Sequence, residues 1–399
     1  MSLKIKNGLI LLVLVLVGLN MRPLLTSVGP LLPQLRDASG MSFALASLLT
    51  ALPVVAMGVM ALAGEWLSHH LNERKTVALS LMTIAAGALL RELAPHSTLL
   101  LSSALIGGIG IGLIQATIPG IIKRLFGHST PAVMGLWSAA LMGGGGLGAA
   151  MTPWLAQHSE VWFHALAWWS LPAILALTGW MVIGQSAIQP PNKTLSTPRV
   201  RLHVSPRAWL LGLYFGLING GYTSLVAWLP PYYMQLGSTP QSSGSLLALL
   251  TLGQTAGALL TPMLARHQDR RRLLLIALMM QLVGFCGFIW LPQQLPVGWA
   301  LICGVGLGGT FPLSLVLALE HSSHAPLAAR LVAFMQGIGF IIAGVSPYLS
   351  GFLRSATGDY LADWIFHAAC VAALMLLTLR FAPSRYPSEW QAASHQKII

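Results

Sequence analysis

Charge is what this 399-residue chain has least of: 8% of its residues are Asp, Glu, Lys or Arg, while 55% are hydrophobic. A water-soluble domain carries about 25% charged residues, so the chain lacks the means to cover a soluble fold. That shortage excludes most soluble enzymes and nucleic-acid-binding domains. Acids are scarcest, ten against 22 Lys and Arg. The three cysteines, Cys286, Cys303 and Cys370, fall in apolar runs with no metal-like spacing and read as small packing residues. Clustered nucleophiles, metal ligands and acids in the middle of apolar runs are absent too, so the sequence offers an enzyme reading no machinery, cofactor or metal.

What the chain has instead is length of hydrophobic run. A membrane helix needs about 20 apolar residues to cross a core of about 30 Å. Twelve runs qualify, at roughly 8–33, 41–67, 76–93, 97–122, 132–155, 161–184, 207–233, 241–265, 272–292, 296–319, 327–353 and 362–381. Pro23, Pro53, Pro119, Pro172, Pro262 and Pro312 lie inside them, which membrane bundles tolerate. The first run follows Lys4 and Lys6, has no small-residue cleavage site and is expected to be retained. With the amino terminus placed in the cytoplasm, 18 of the 22 basic residues fall on cytoplasmic segments, and Arg36, Arg91 and Arg354 fall outside. The positive-inside rule therefore puts both termini inside. The basic excess is an orientation signal and calls for a lipid bilayer as partner, with no nucleic acid.

The polar stretch 185–206 bisects the chain into six-span halves, 1–184 and 207–399. A shift of 197 superimposes Thr26-Ser27 on Thr223-Ser224, Pro33 on Pro230, His70 on His267 and Gly87 on Gly284. A shift of 196 brings Gly108, Gly110 and Gly112 onto Gly304, Gly306 and Gly308. A six-plus-six parallel repeat is the architecture of major facilitator carriers, with substrate held near midplane between the halves. The fold expected is all-α, and the chain is expected to work as a monomer. Glu65 to Lys75 resembles that superfamily's cytoplasmic loop signature, although Ser68 stands where an acid is usual. With Arg74, Asp269 and Arg271 it reads either as a charge latch between the halves or as plain positive-inside anchoring.

One basic residue belongs to neither side. Arg22 sits 16 residues after Lys6 and 14 before Arg36, near midplane at 1.5 Å per residue. A charge there costs at least about 2.5–3.5 kcal/mol. None of the ten acids lies mid-span, so a small anionic substrate is the natural counterion. Pro23 loosens the helix beside it. Uncharged donors and rings at similar depth include Asn20, Gln115, Trp137, Asn219, Tyr222, Gln254, Thr310 and Gln336, of which Asn219, Tyr222 and Gln336 are the first choices for orienting an anion. Each is equally a candidate for interhelical hydrogen bonding. The acid–His spacings Glu160–His164 and Asp363–His367 recur at the start of each half's last helix. At i,i+4 such pairs share a helix face and bind protons or hold a gate. Their place on peripheral helices favours the blander reading, a helix-start acid and an interfacial His. The strings at Gly107–Gly112 and Gly143–Gly146 lie inside apolar runs and read as close helix packing, not phosphate loops.

The stretches VGLNMRPLLTSVGP (17–30), GLWSAALMGGGGLG (135–148) and YFGLINGG (214–221), with Gly284–Trp290 and Phe334–Phe340, make the chain similar to the bacterial cyanate transporters of the major facilitator superfamily. The resemblance runs from about Leu11 to Pro383. It implies a secondary carrier in the inner membrane, moving cyanate by alternating access. Relatives in the wider family export heteroaromatic drugs such as nitroimidazoles, which is the alternative.

Overall fold

The computed structural model describes residues 3–70, 72–93, 96–187, 200–265 and 269–391. Among these, twelve helical segments are long and apolar enough to cross a membrane. Spans 1 to 6 are Gly8–Leu31, Leu45–Ala63, Glu73–Leu93, Ser97–Phe126, Ala132–His158 and His164–Val182. Spans 7 to 12 are Pro206–Gln235, Gln241–Thr261, Arg271–Trp290, Pro296–Glu320, Pro326–Thr357 and Leu361–Phe381. The chain is an all-α membrane protein of two six-helix halves. Of the stretch 185–206 that the sequence assigns to the linker, residues 188–199 lie outside the described residues, as do His267 and residues 392–399.

The halves meet along two seams that glycines make possible. Spans 2 and 11 pack so closely that a Cβ on Gly58 would lie 2.7 Å from the Gly337 carbonyl oxygen. Spans 5 and 8 approach at Gly146, where a Cβ would lie 2.9 Å from Thr251 Oγ1. Small residues let backbones come together where lipid supplies no hydrophobic drive between helices. Gly29 and Pro30 of span 1 lie against Val226 and Gly244 of the other half.

The ends carry the charge. Glu73 pairs with Arg124 in the first half, and Arg270 pairs with Glu320 in the second at 2.6 Å. These are the same two positions of the repeat with the signs exchanged. Asp269 bonds Arg271 two residues away, at 2.7 Å. Arg74 donates to the Met181 carbonyl at 3.2 Å, and its own carbonyl accepts from Trp180. Arg74, Asp269 and Arg271 make no ion pair across the halves among the described residues, so of the two readings of these charges the latch is not formed in this structure. Among the described residues each of these ion pairs closes within one half.

The segment after span 12 clasps the ends of spans 7 and 10. His321, just past span 10, is buried and stacks on Tyr386 at 3.9 Å. Its Nδ1 faces the Leu317 carbonyl at 2.7 Å, so that nitrogen carries the proton and Nε2 accepts from Arg207 Nε at 3.0 Å. Burial, aided by Arg207, pushes His321 down to about 4. An unfolded His titrates near 6.5, so between those values the unfolded chain binds the extra proton and stability falls as pH drops. The expected loss is on the order of 3 kcal/mol between pH 7.5 and 4. Thermal unfolding across that range should show it in the wild type, and His321→Gln should lack this increment.

Candidate functional site

The first span does not cross as one helix. The helix Leu3–Leu19 stops, and Arg22 opens a short turn Pro23–Thr26. Asn20 and Met21 turn back to the carbonyls of Val17 and Gly18, and Asn20 Nδ2 donates to the Leu16 carbonyl at 2.8 Å. Pro23 has no amide hydrogen to continue the ladder. The break is held from the side by the glycine run of span 5. A Cβ on Gly144 would lie 2.0 Å from the Leu19 carbonyl oxygen, and one on Gly148 would lie 2.4 Å from Thr26 Oγ1. These glycines exist for backbone approach, which removes the phosphate-loop reading.

Arg22 is 3% exposed. Its guanidinium lies over the Tyr222 ring of span 7, 4.7 Å from the centroid. Nε is buried with no hydrogen-bond partner, and no carboxylate pairs with Arg22 among the described residues. Arg22, Met142, Ile218, Asn219, Tyr222, Gln254, Leu307 and Phe311 enclose a cavity of about 10 Å³ open to the centre of a water molecule. It holds about one water and no more. The wall is drawn from spans 1 and 5 of one half and spans 7, 8 and 10 of the other. Arg22 is thus a buried cation in a small, mostly apolar cavity whose wall comes from both halves.

Of the residues chosen from sequence, the structure brings Arg22, Asn219, Tyr222 and Gln254 together. Asn20 lies at the helix break beside Arg22 and uses its amide there. Asn219 Nδ2 donates to the Phe215 carbonyl at 2.8 Å, which leaves the amide oxygen fixed in orientation. Gln115, Trp137 and Gln336 are buried with unpartnered polar atoms, yet none of them lines the cavity. Thr310 accepts from Gln281 at 3.0 Å and serves interhelical bonding. Met142, Ile218, Leu307 and Phe311 complete the wall, and apolar lining has no chemical signature by which sequence finds it.

The acid–His pairs part company. Glu160 precedes the helix that begins at His164, so the i,i+4 geometry is not made there. His164 instead meets Glu92 at 3.3 Å, with both side chains well exposed. Asp363 and His367 do share one helix, 3.4 Å apart, and are buried to 0% and 2% exposure. Arg91, expected outside, is also buried, donating to Ser103 at 3.1 Å and Ser27 at 3.3 Å. It braces the second part of the broken span, at Ser27, from span 3.

Twelve spans, a duplicated bundle and a buried cation at the junction of the halves define a membrane carrier. The chain belongs to the Major Facilitator Superfamily, whose model matches residues 10–344. It is 68% identical to the cyanate transport protein CynX of Escherichia coli strain K12, over 95% of this chain and 99% of that one. It is 31% identical to the 2-nitroimidazole transporter of the same organism, over 95% and 96%. The proton:xylose symporter XylE with bound 6-bromo-6-deoxy-D-glucose superimposes with a TM-score of 0.77 over 98% of this chain and all of that one, at 13% identity. That likeness establishes the shared fold.

Proposed function

We propose that the chain carries cyanate, a small linear monovalent anion, across the inner membrane of a bacterium by alternating access. The observation that carries the reading is Arg22, a buried guanidinium with no carboxylate partner among the described residues, in a cage lined by both halves. The 68% identity to a cyanate transport protein supports the choice of anion. The halves 1–184 and 207–399 rock about the spans 2–11 and 5–8 seams, with 185–206 joining them in the cytoplasm. Both termini face the cytoplasm, which accords with the 18 basic residues on that side. One chain supplies the whole cage, so the working unit is the monomer.

Arg22 attracts the anion, the Asn219 and Gln254 amides orient it, and Tyr222 holds the guanidinium flat. In the closed state the cavity is too small for substrate, so binding must widen it by parting spans 1 and 5 from spans 7, 8 and 10. The experiment is uptake of labelled cyanate by proteoliposomes of the purified chain. The expected result is saturable, protein-dependent uptake that other small linear anions inhibit and 2-nitroimidazole does not. Inhibition by 2-nitroimidazole alone would support export of heteroaromatic compounds instead. Tyr222→Leu removes a stacking contact worth about 0.5–2 kcal/mol, so KM should rise roughly 2- to 30-fold. Tyr222→Phe keeps the ring face and should stay near wild type in the same assay.

A further inference from the structure

Asp363 is the anomaly in the second half. It is a carboxylate at 0% exposure in the first turn of span 12, and neither of its oxygens has a hydrogen-bond donor. His367 Nε2 lies 3.4 Å away, within reach of an ion pair but not in hydrogen-bond alignment. The ring of Phe285 stacks on the imidazole at 5.7 Å and 20°, and Phe366 meets it edge-on at 5.2 Å. Trp364 packs on Tyr232 and Phe288 beside them. Of the other titratable groups nearby, Tyr360, Asp359 and Cys370 lie on or beside the same helix, Tyr232 and Tyr233 come from span 7, and Cys286 from span 9. Arg354 of span 11 lies over the Tyr360 ring at 5.0 Å. Among the described residues no lysine or arginine pairs with Asp363.

An ionised carboxylate without donors in an apolar wall costs several kcal/mol. The pair avoids that cost only while it holds a proton between its two members, as Asp⁻ with HisH⁺ or as AspH with neutral His. Loss of that proton leaves one uncompensated negative charge in an apolar wall. Two features tie this to the anion site. A Cβ on Gly221 would lie 3.8 Å from His367 Nδ1, and Gly221 sits between Asn219 and Tyr222, which face Arg22. His367 also lines a crevice of about 260 Å³ between spans 7, 11 and 12, with Ser346 on its wall. From Ser346 a row of hydroxyls continues through Ser224 to Ser350, at 3.0 and 2.8 Å.

We propose that Asp363 and His367 are the proton site of this carrier, binding one proton for each anion bound at Arg22, so that anion and proton cross together without net charge. The proposal rests on the reading of Arg22 as the anion site. It removes the opposition that an inside-negative potential sets against anion entry. The proton comes from the outer water to the pair and leaves to the inner water; no bond to the anion is made or broken.

The test uses the full chain in proteoliposomes, with rates taken above those of protein-free vesicles, which report leak of the protonated acid. Three quantities are read: exchange of internal for external cyanate at equal concentration, initial net uptake under an imposed pH gradient, and initial net uptake under an imposed potential. In the wild type, net uptake should rise severalfold with the outside one pH unit more acid, and an inside-negative potential should leave it unchanged. Asp363→Asn, and the double variant Asp363→Asn with His367→Gln, should keep exchange within about threefold of wild type and lose the response to pH. Retained exchange shows that a variant is folded. Wild-type exchange with no response to the pH gradient overturns the proposal alone, as does full pH-driven uptake in both variants. Absence of wild-type exchange overturns the cyanate reading and this proposal with it.

Discussion

Cyanate uptake by Arg22→Ala should fall to the level of protein-free vesicles, a loss of at least about 100-fold, while the protein becomes no less stable. The two halves of that expectation come from one fact. Arg22 is buried at 3% exposure with no carboxylate paired to it among the described residues. Hydrogen bonds to a charged group contribute about 1.5–3 kcal/mol each, and a guanidinium presents two in parallel to a small anion. Removing them removes most of the binding. The same buried charge, without substrate, is a burden on the fold, so its loss should leave the thermal midpoint equal or raised. A structural arginine would behave in the opposite way, with stability and uptake falling together. Arg22→Lys keeps the charge and loses the fork, and should retain a small fraction of the uptake.

Gly144→Ala should be nearly as damaging, by another route. Its Cβ would sit 2.0 Å from the Leu19 carbonyl oxygen, a backbone atom that no rotamer change can clear. Span 5 must then back away from the break in span 1, and Gly145, which would contact Arg22 Cβ at 3.2 Å, moves with it. Overpacking of this kind costs about 1–3 kcal/mol. The displaced Arg22 no longer lies over Tyr222, so uptake should drop more than tenfold. Gly143→Ala is the comparison within the same run. Its Cβ would meet nothing nearer than Thr255 Oγ1 at 3.9 Å, so it should stay near wild type in both unfolding temperature and uptake.

The spans, the repeat and Arg22 were legible in the sequence because each leaves a one-dimensional trace: run length, spacing, and a charge where none belongs. The break in span 1 was half legible, since Pro23 announces a missing amide but not where the chain goes next. Leu307 and Phe311 reach the cage only because span 10 converges there with spans 7 and 8, and nothing in their local sequence says so. Gln115 and Gln336 had the right depth but look elsewhere, since depth along a helix does not fix the direction of a side chain. The two acid–His motifs look alike in sequence. Only the start of the helix at His164, and the ring of Phe285 over His367, make one an exposed pair and the other a buried one.

Calorimetric titration of the purified carrier with cyanate, wild type beside Arg22→Ala, tests the central claim most directly because it reads binding without transport or coupling. The account predicts saturable binding of one cyanate per chain in the wild type, none in Arg22→Ala, and near wild-type binding in Asp363→Asn. Equal binding by wild type and Arg22→Ala would contradict it.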